Sequence, residues 1–147
     1  MNITFEPALP SEAADLADLR AIAMRDSLER IGRFDPDRAR ERLLSTFDAT
    51  ATRHVVVDGR RAGFYVLRAN LQGLQLDHLV IHPDFQGRGL GARALAEVFA
   101  EADRRQVDVR VGALKQSASN RFYRAHGFEP TEEGAWDIYY VRRHRGT

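Results

Sequence analysis

His82-Pro83-Asp84-Phe85-Gln86-Gly87-Arg88-Gly89-Leu90-Gly91-Ala92-Arg93-Ala94-Leu95 places three glycines at the mouth of a helix. Without a Cβ, the backbone there turns tightly and comes close to a bound group, and the amide N–H groups of a helix start have no partner within the helix. A helix N-terminus also carries a dipole that favours phosphate, so main-chain donors suffice to hold a pyrophosphate. The helix is read from Leu90, Ala94, Leu95, Val98, Phe99 and Ala102, which recur at helical spacing while Arg93, Glu97, Glu101 and Arg104 take the other face. Just before the loop, Leu76-Asp77-His78-Leu79-Val80-Ile81 reads as a strand closed by Pro83. The unit is strand, glycine-rich turn, helix.

Different phosphate loops make different demands on their neighbours. A Walker loop needs Lys and then Ser or Thr after its last glycine, and here Gly91 is followed by Ala92 and Arg93. A dinucleotide fingerprint is formally matched by Gly87-x-Gly89-x-x-Ala92, but Pro83 to Gln86 separate the strand from the first glycine. The acidic residue expected at the end of the next strand is replaced by Asp108 near its start. The third pattern is Gln86-x-x-Gly89-x-Gly91-Ala92 after an apolar strand ending in Ile81-His82-Pro83.

Beyond the helix, Val107 to Leu114 alternates apolar and polar residues as a strand does. A short helix follows, expected to be capped by Ser117 or Ser119 and ended by Gly127. It contains Asn120-Arg121-Phe122-Tyr123-Arg124-Ala125-His126-Gly127-Phe128. The glycine loop and this Asn-x-x-x-Tyr-x-x-x-Gly-Phe segment, in this order, resemble the two signatures of the GNAT N-acetyltransferase superfamily.

The resemblance implies an α/β fold in the order β-α-α-β-β-β-α-β-α-β-β, a mixed sheet splayed in its middle and flanked by about four helices. It implies acetyl-coenzyme A as acyl donor, with the thioester beside the backbone of Leu79, Val80 and Ile81 and an oxyanion held by a main-chain N–H of Val80 or Ile81. The pyrophosphate falls to the amides of Gln86, Gly87, Arg88, Gly89, Leu90, Gly91 and Ala92, with the Arg88 guanidinium adding charge. Asn120 is either a helix cap or a cofactor contact. Tyr123 is either a packing aromatic or the acid that assists the departing thiol. The acceptor is expected against Met24, Arg25, Arg33, Phe34, Tyr65, Trp136 and Tyr139.

An amine of pKa about 10.4 is only about one part in a thousand neutral at pH 7, so a base or a desolvating cleft must supply the nucleophile. Along a regular strand Gln75, Asp77, Leu79 and Ile81 share one face, and Leu76, His78, Val80 and His82 the other. Parity favours Asp77 as the base; a bulge would bring in His78 instead.

The rest of the chain sets bounds. Its 147 residues read as one domain over 1–147, with a formal charge of +1 and no cysteine. Thiolate nucleophiles, disulfides and thiolate metal sites are thereby removed. The five histidines are not clustered at ligand spacing, so no metal is expected. Near-zero charge argues against nucleic acid and membrane partners, and the absence of a long apolar run or leader pattern leads to a cytoplasmic expectation. The expected partners are a small-molecule or protein amine, and a homodimer is allowed. A coenzyme A-binding regulatory module without turnover and a nicotinamide-dependent oxidoreductase are the alternatives.

Local signals complete the picture. Asn2 to Glu6 reads as a strand, and Ser11 as the cap of a helix bearing Leu16, Leu19, Ala23 and Leu28. Asp35-Pro36 opens a second helix with Ala39, Leu43, Leu44 and Phe47 as its buried stripe. Asp58-Gly59 between Val55-Val56-Val57 and Phe64-Tyr65-Val66-Leu67 reads as a hairpin, and Gln75 to Ile81 extends the sheet. Trp136 to Val141 reads as the last strand, and the tail Arg142 to Thr147 as loose.

Overall fold

The computed structural model describes residues 1–145. Its elements are β1 (Ile3–Pro7), α1 (Ala13–Arg30), α2 (Pro36–Leu44), β2 (Thr52–Val57), β3 (Arg60–Asn70), β4 (Gly73–Ile81), α3 (Leu90–Arg105), β5 (Val109–Leu114), α4 (Ser119–Ala125), β6 (Glu129–Glu133) and β7 (Asp137–Arg142). Short 3-10 turns lie at Pro10–Glu12, Ala49–Ala51 and Pro83–Phe85. The strands form one mixed sheet in the order β1-β2-β3-β4-β5-β7-β6. The β4–β5 pair is parallel, with partners at Leu74–Val109, Gln75–Arg110 and Leu76–Val111. This is the expected element order and fold class. The chain gathers into two compact units: Met1–Val66 with His78–Gly91, and Leu67–Asp77 with the chain from Ala92 onward. β3 and β4 pass from one into the other.

In the first unit, Asp58 and Gly59 both take positive φ, 50° and 81°, as a two-residue hairpin turn between β2 and β3 requires. Asp35 caps α2 by accepting from the amides of Asp37 and Arg38, with Pro36 at the first helical position. Leu16 and Ala17 of α1, Leu43 of α2, Phe64 and Val66 of β3 and Val80 of β4 form one buried cluster. Val57, Ala62, Phe85 and Leu90 form another. Each large apolar side chain so buried contributes about 2 kcal/mol. Leu44 is exposed, so the α2 stripe is carried by Ala39 and Leu43.

Ser11 is not the cap of α1. It lies inside the turn Pro10–Glu12, and the Glu12 carboxylate accepts from the Leu9 amide at 2.7 Å. Glu12 is nearly buried and also meets His54 Nε2 at 2.9 Å and the Arg61 guanidinium. A carboxylate removed from water needs such donors. Hydrogen bonds from His54 and Leu9, with the charge of Arg61, lower its pKa from 4.5 to about 2.

In the second unit, α3 buries Ala94, Leu95, Val98 and Ala102, as its periodicity predicts. β7 lies antiparallel between β5 and β6. The Tyr123 ring packs near Phe128 and Tyr140, with centroids at 5.2 and 6.3 Å. The tail departs from expectation through Arg145: Arg142 forks onto Asp103 at 2.6 and 3.2 Å, and the Arg145 amide reaches the same carboxylate at 2.9 Å. Arg143 and the His144 amide hold Asp108. Charge-assisted bonds overcome the fraying of a polar terminus. Gly146 and Thr147 lie outside the described residues.

Glu12 makes acid stability testable. Its folded pKa is depressed, so its stabilisation is complete above about pH 4.5 and is lost as pH falls toward about 2. We expect Glu12→Gln to cost about 1–3 kcal/mol at pH 7. The gap to wild type should close between pH 4.5 and 2 in urea titrations.

Candidate active site

Within the glycine loop, Gly87 and Gly89 stand at φ +79° and +76°, and a Cβ added to either would meet no protein atom within 4 Å. The left-handed backbone costs an ordinary residue about 1–2 kcal/mol, which explains glycine there. The space beside it leaves an open cradle at the entry to α3. Gln86 Nε2 donates to the Ile81 carbonyl at 3.0 Å and so ties the loop to the end of β4. The guanidinium of Arg88 rests over the Phe85 ring at 5.2 Å, and Phe85 and Leu90 are buried beneath the loop. Gln86 to Leu90 and Ile81 are thus brought together. Gly91 lies in the first turn of α3, and Ala92 follows it.

β4 carries the candidate bases. Asp77 pairs with Arg68 of β3 through Arg68 Nε and Asp77 Oδ2. His78 accepts from Arg20 Nε at 3.2 Å through its Nδ1, and its ring stands 6.4 Å from that of Phe64. Arg20 sits on the buried face of α1 and also donates to the Ala39 carbonyl of α2 at 2.8 Å. Further along β4, Val80 is buried while Leu79 and Ile81 are half-buried. β3 comes so close here that a Cβ on Gly63 would lie 2.1 Å from the Val80 carbonyl oxygen. The glycine is required by that approach.

In the second unit, burial raises the pKa of Tyr123 above that of an ordinary tyrosine, so it holds its proton throughout the working range. Asn120 is committed to the fold. Its Nδ2 donates to the carbonyls of Leu114 at 2.8 Å and Ser117 at 3.1 Å, and its Oδ1 accepts from the Tyr140 hydroxyl at 2.7 Å. Neither expected cap is used: the N-cap position is Ala118, which makes no side-chain cap bond, and Ser119 begins the helix. Gly127, at φ +91°, ends the segment as predicted.

The residues expected near the acceptor fall into separate groups. In the first unit, Arg25 lies over the Phe34 ring at 5.7 Å and pairs with Glu29, Met24 and Arg33 are half-buried, and Tyr65 is buried edge-on to Phe5. In the second, Trp136 and Tyr139 are exposed on the β6–β7 hairpin. The Tyr139 ring lies on two glycines: a Cβ at Gly112 or Gly134 would come within 3.1 or 3.2 Å of it.

Arg20, Arg68 and Gly63 escaped the sequence reading. Gly63 in a strand pattern and an arginine on the apolar face of α1 were the available signals. Among the described residues no helix is long and apolar enough to cross a membrane, and no group of histidines and carboxylates is placed to hold a metal ion.

Comparison with known proteins agrees with this architecture. The family model of the acetyltransferase (GNAT) domain matches residues 50–130. The fold is similar to that of the PaiA N-acetyltransferase from Thermoplasma acidophilum in complex with coenzyme A, at TM-score 0.78 and 13% identity over 98% of this chain and 100% of that one. It is similar to the ribosomal-protein-S18-alanine N-acetyltransferase from Escherichia coli at TM-score 0.70 and 17% identity over 97% and 94% of the two chains. N-acetylglutamate synthase from Neisseria gonorrhoeae, complexed with coenzyme A and N-acetyl-glutamate, matches at TM-score 0.72 and 18% identity over 99% of this chain and 36% of its own. No curated protein matches at the sequence level.

The Gly63–Val80 contact yields a direct test. Gly63→Ala should destabilise the protein by about 3 kcal/mol or more, because backbone rather than a flexible side chain must move. Denaturant unfolding measures it, and an unchanged midpoint would show that β3 and β4 have slack here.

Proposed function

The chain belongs to the GNAT acetyltransferase family, and from that membership and the cradle at Gly87 and Gly89 we propose that it transfers acetyl from acetyl-coenzyme A to a primary amine by direct attack in a ternary complex. The open, left-handed cradle beside the start of α3 is the observation that carries this reading. Its amides, from Gln86 to Ala92, hold the pyrophosphate, with the Arg88 guanidinium as an added charge. When bound, acetyl-coenzyme A supplies an acetyl thioester whose carbonyl carbon accepts the amine nitrogen and whose thiol departs. The main-chain N–H of Val80 or Ile81 stabilises the negative charge developing on the carbonyl oxygen.

Asp77 draws in the ammonium group and takes its proton, directly or through a water, with Arg68 fixing the carboxylate. Tyr123, protonated throughout, donates a hydrogen bond to the departing sulfur. Asn120 supports this end of the fold by bracing α4 against β5 and β7, and its side chain contributes to cofactor binding through that geometry. With no cysteine in the chain, a thiol-linked acyl-enzyme has no nucleophile. The acceptor is a small-molecule or protein amine, to which we assign Met24, Arg25, Arg33, Phe34 and Tyr65 in the first unit and, separately, Trp136 and Tyr139 in the second. We read the chain as one functional domain working in the cytoplasm.

Thiol release from acetyl-coenzyme A across a panel of amines tests the reading; release that never depends on an amine overturns it. Gly89→Val should abolish acetyl-coenzyme A binding by calorimetry in a variant that still folds. Tyr123→Phe should lower kcat roughly 10- to 100-fold, the worth of one hydrogen bond to a charged group, with little change in cofactor affinity. Asp77→Asn should lose most with high-pKa amines and alter the acidic limb of kcat/KM.

A further inference from the structure

His78 and Arg20 meet in a way that fixes which nitrogen of the imidazole carries its proton. Arg20 Nε–H has no acceptor capacity, so the ring nitrogen it addresses at 3.2 Å, Nδ1, must present a lone pair. A neutral imidazole has one N–H, which then resides on Nε2. We propose that Arg20 is a positioning residue that locks His78 in the Nε2–H form, so that this histidine works as a hydrogen-bond donor on β4 and not as the base that receives the ammonium proton.

Two observations beyond the distance support the lock. Arg20 is anchored independently, since its NH1 donates to the Ala39 carbonyl at 2.8 Å and its side chain is buried on the inner face of α1. The guanidinium therefore cannot swing away to free Nδ1 without giving up its charge-assisted bond to that carbonyl. Arg20 also remains a cation: burial, and to a lesser degree the charge of Arg42, lower its pKa to about 10, still far above neutral.

Protonating His78 would place a second N–H against that cation, and both the donor geometry and the like charge oppose it. The Phe64 ring stands at 6.4 Å, and Asp77, adjacent on β4, is engaged by Arg68. For Nε2 to accept a proton from substrate, the proton it holds would have to move to Nδ1, which breaks the bond to Arg20. The base role then falls to Asp77 or to water. Nε2–H serves as a hydrogen-bond donor.

The functional half of this inference rests on the acetyl-transfer reading; the tautomer does not. Nitrogen-15 NMR of the full chain with labelled histidine, assigned by loss of a signal in His78→Gln, reads both ring nitrogens directly. We expect Nδ1 unprotonated and Nε2 protonated at pH 7. In Arg20→Met the two tautomers should mix. If Arg20→Met does not fold, the wild-type spectrum alone decides.

A wild-type His78 carrying its proton on Nδ1, or doubly protonated at pH 7, overturns the assignment, as does a folded Arg20→Met with an unchanged spectrum. In kinetics, His78→Gln should retain the acidic limb of kcat/KM that a general base would remove; loss of that limb overturns the donor role. The Nε2–H spectrum in a protein without amine-dependent thiol release overturns the acetyl-transfer reading and leaves the tautomer assignment standing.

Discussion

A charge taken out of water must find its partners inside the protein, and the first unit is arranged around two such charges. Glu12 draws the Leu9 amide, His54 of β2 and Arg61 of β3 to one carboxylate. Arg20 holds a carbonyl of α2 and a ring nitrogen of β4 from α1. An apolar contact tolerates sliding by an ångström, whereas a hydrogen bond to a desolvated ion does not. These two residues therefore set where α1 lies against β2, β3 and β4 more sharply than Leu16 and Ala17 do, although the apolar cluster supplies more of the free energy. The candidate chemistry of β4 inherits that precision.

The elements legible in the sequence were those governed by short-range rules. The Asp58-Gly59 turn needs positive φ twice, Asp35-Pro36 is a cap followed by a residue pre-set for a helix start, and α3 declares itself by period. The misreadings share one feature, which is that side chains found partners that residue type and local spacing do not show. Ser11 is a good cap by type, but Glu12 reaches the Leu9 amide and gains His54 and Arg61 as well. Ser117 and Ser119 are likewise good caps by type, but the Asn120 amide bridges two carbonyls while its oxygen takes the Tyr140 hydroxyl. The tail looked loose because Arg142-Arg143-His144-Arg145 is polar, and only the fold brings Asp103 and Asp108 to it. Long-range pairing of charges leaves no periodic trace.

The glycine loop was legible for a different reason. In the proposed acetyl transfer its residues answer to a ligand as well as to the chain, and a Cβ at Gly87 or Gly89 would collide with nothing nearby in the protein. The backbone conformation alone demands glycine there, and the space beside it is open, as it is at the turn glycines Gly32 and Gly59. Gly63 is the opposite case. There the protein itself fills the space, with the Val80 carbonyl where a side chain would begin. One glycine serves the close packing of strands and two serve an open cradle, and a sequence without structure does not separate the two uses.

Tyr123 shows how burial decides the form that acid assistance can take. An ordinary phenol at pKa about 10 already lies above a thiol at about 8.5, so complete transfer of its proton to a thiolate is uphill by about 2 kcal/mol. Desolvation lifts the phenol further and makes full transfer costlier. The same desolvation strengthens a hydrogen bond from the neutral hydroxyl to a forming thiolate, because less water competes for either group. The ring is held by Phe128 and Tyr140, and Tyr140 is in turn held by Asn120, so the donor loses little orientational freedom when a partner arrives. In the proposed acetyl transfer a residue so placed lowers the barrier by being fixed and polar rather than by being acidic, which is why its contribution should persist unchanged across neutral and mildly alkaline pH.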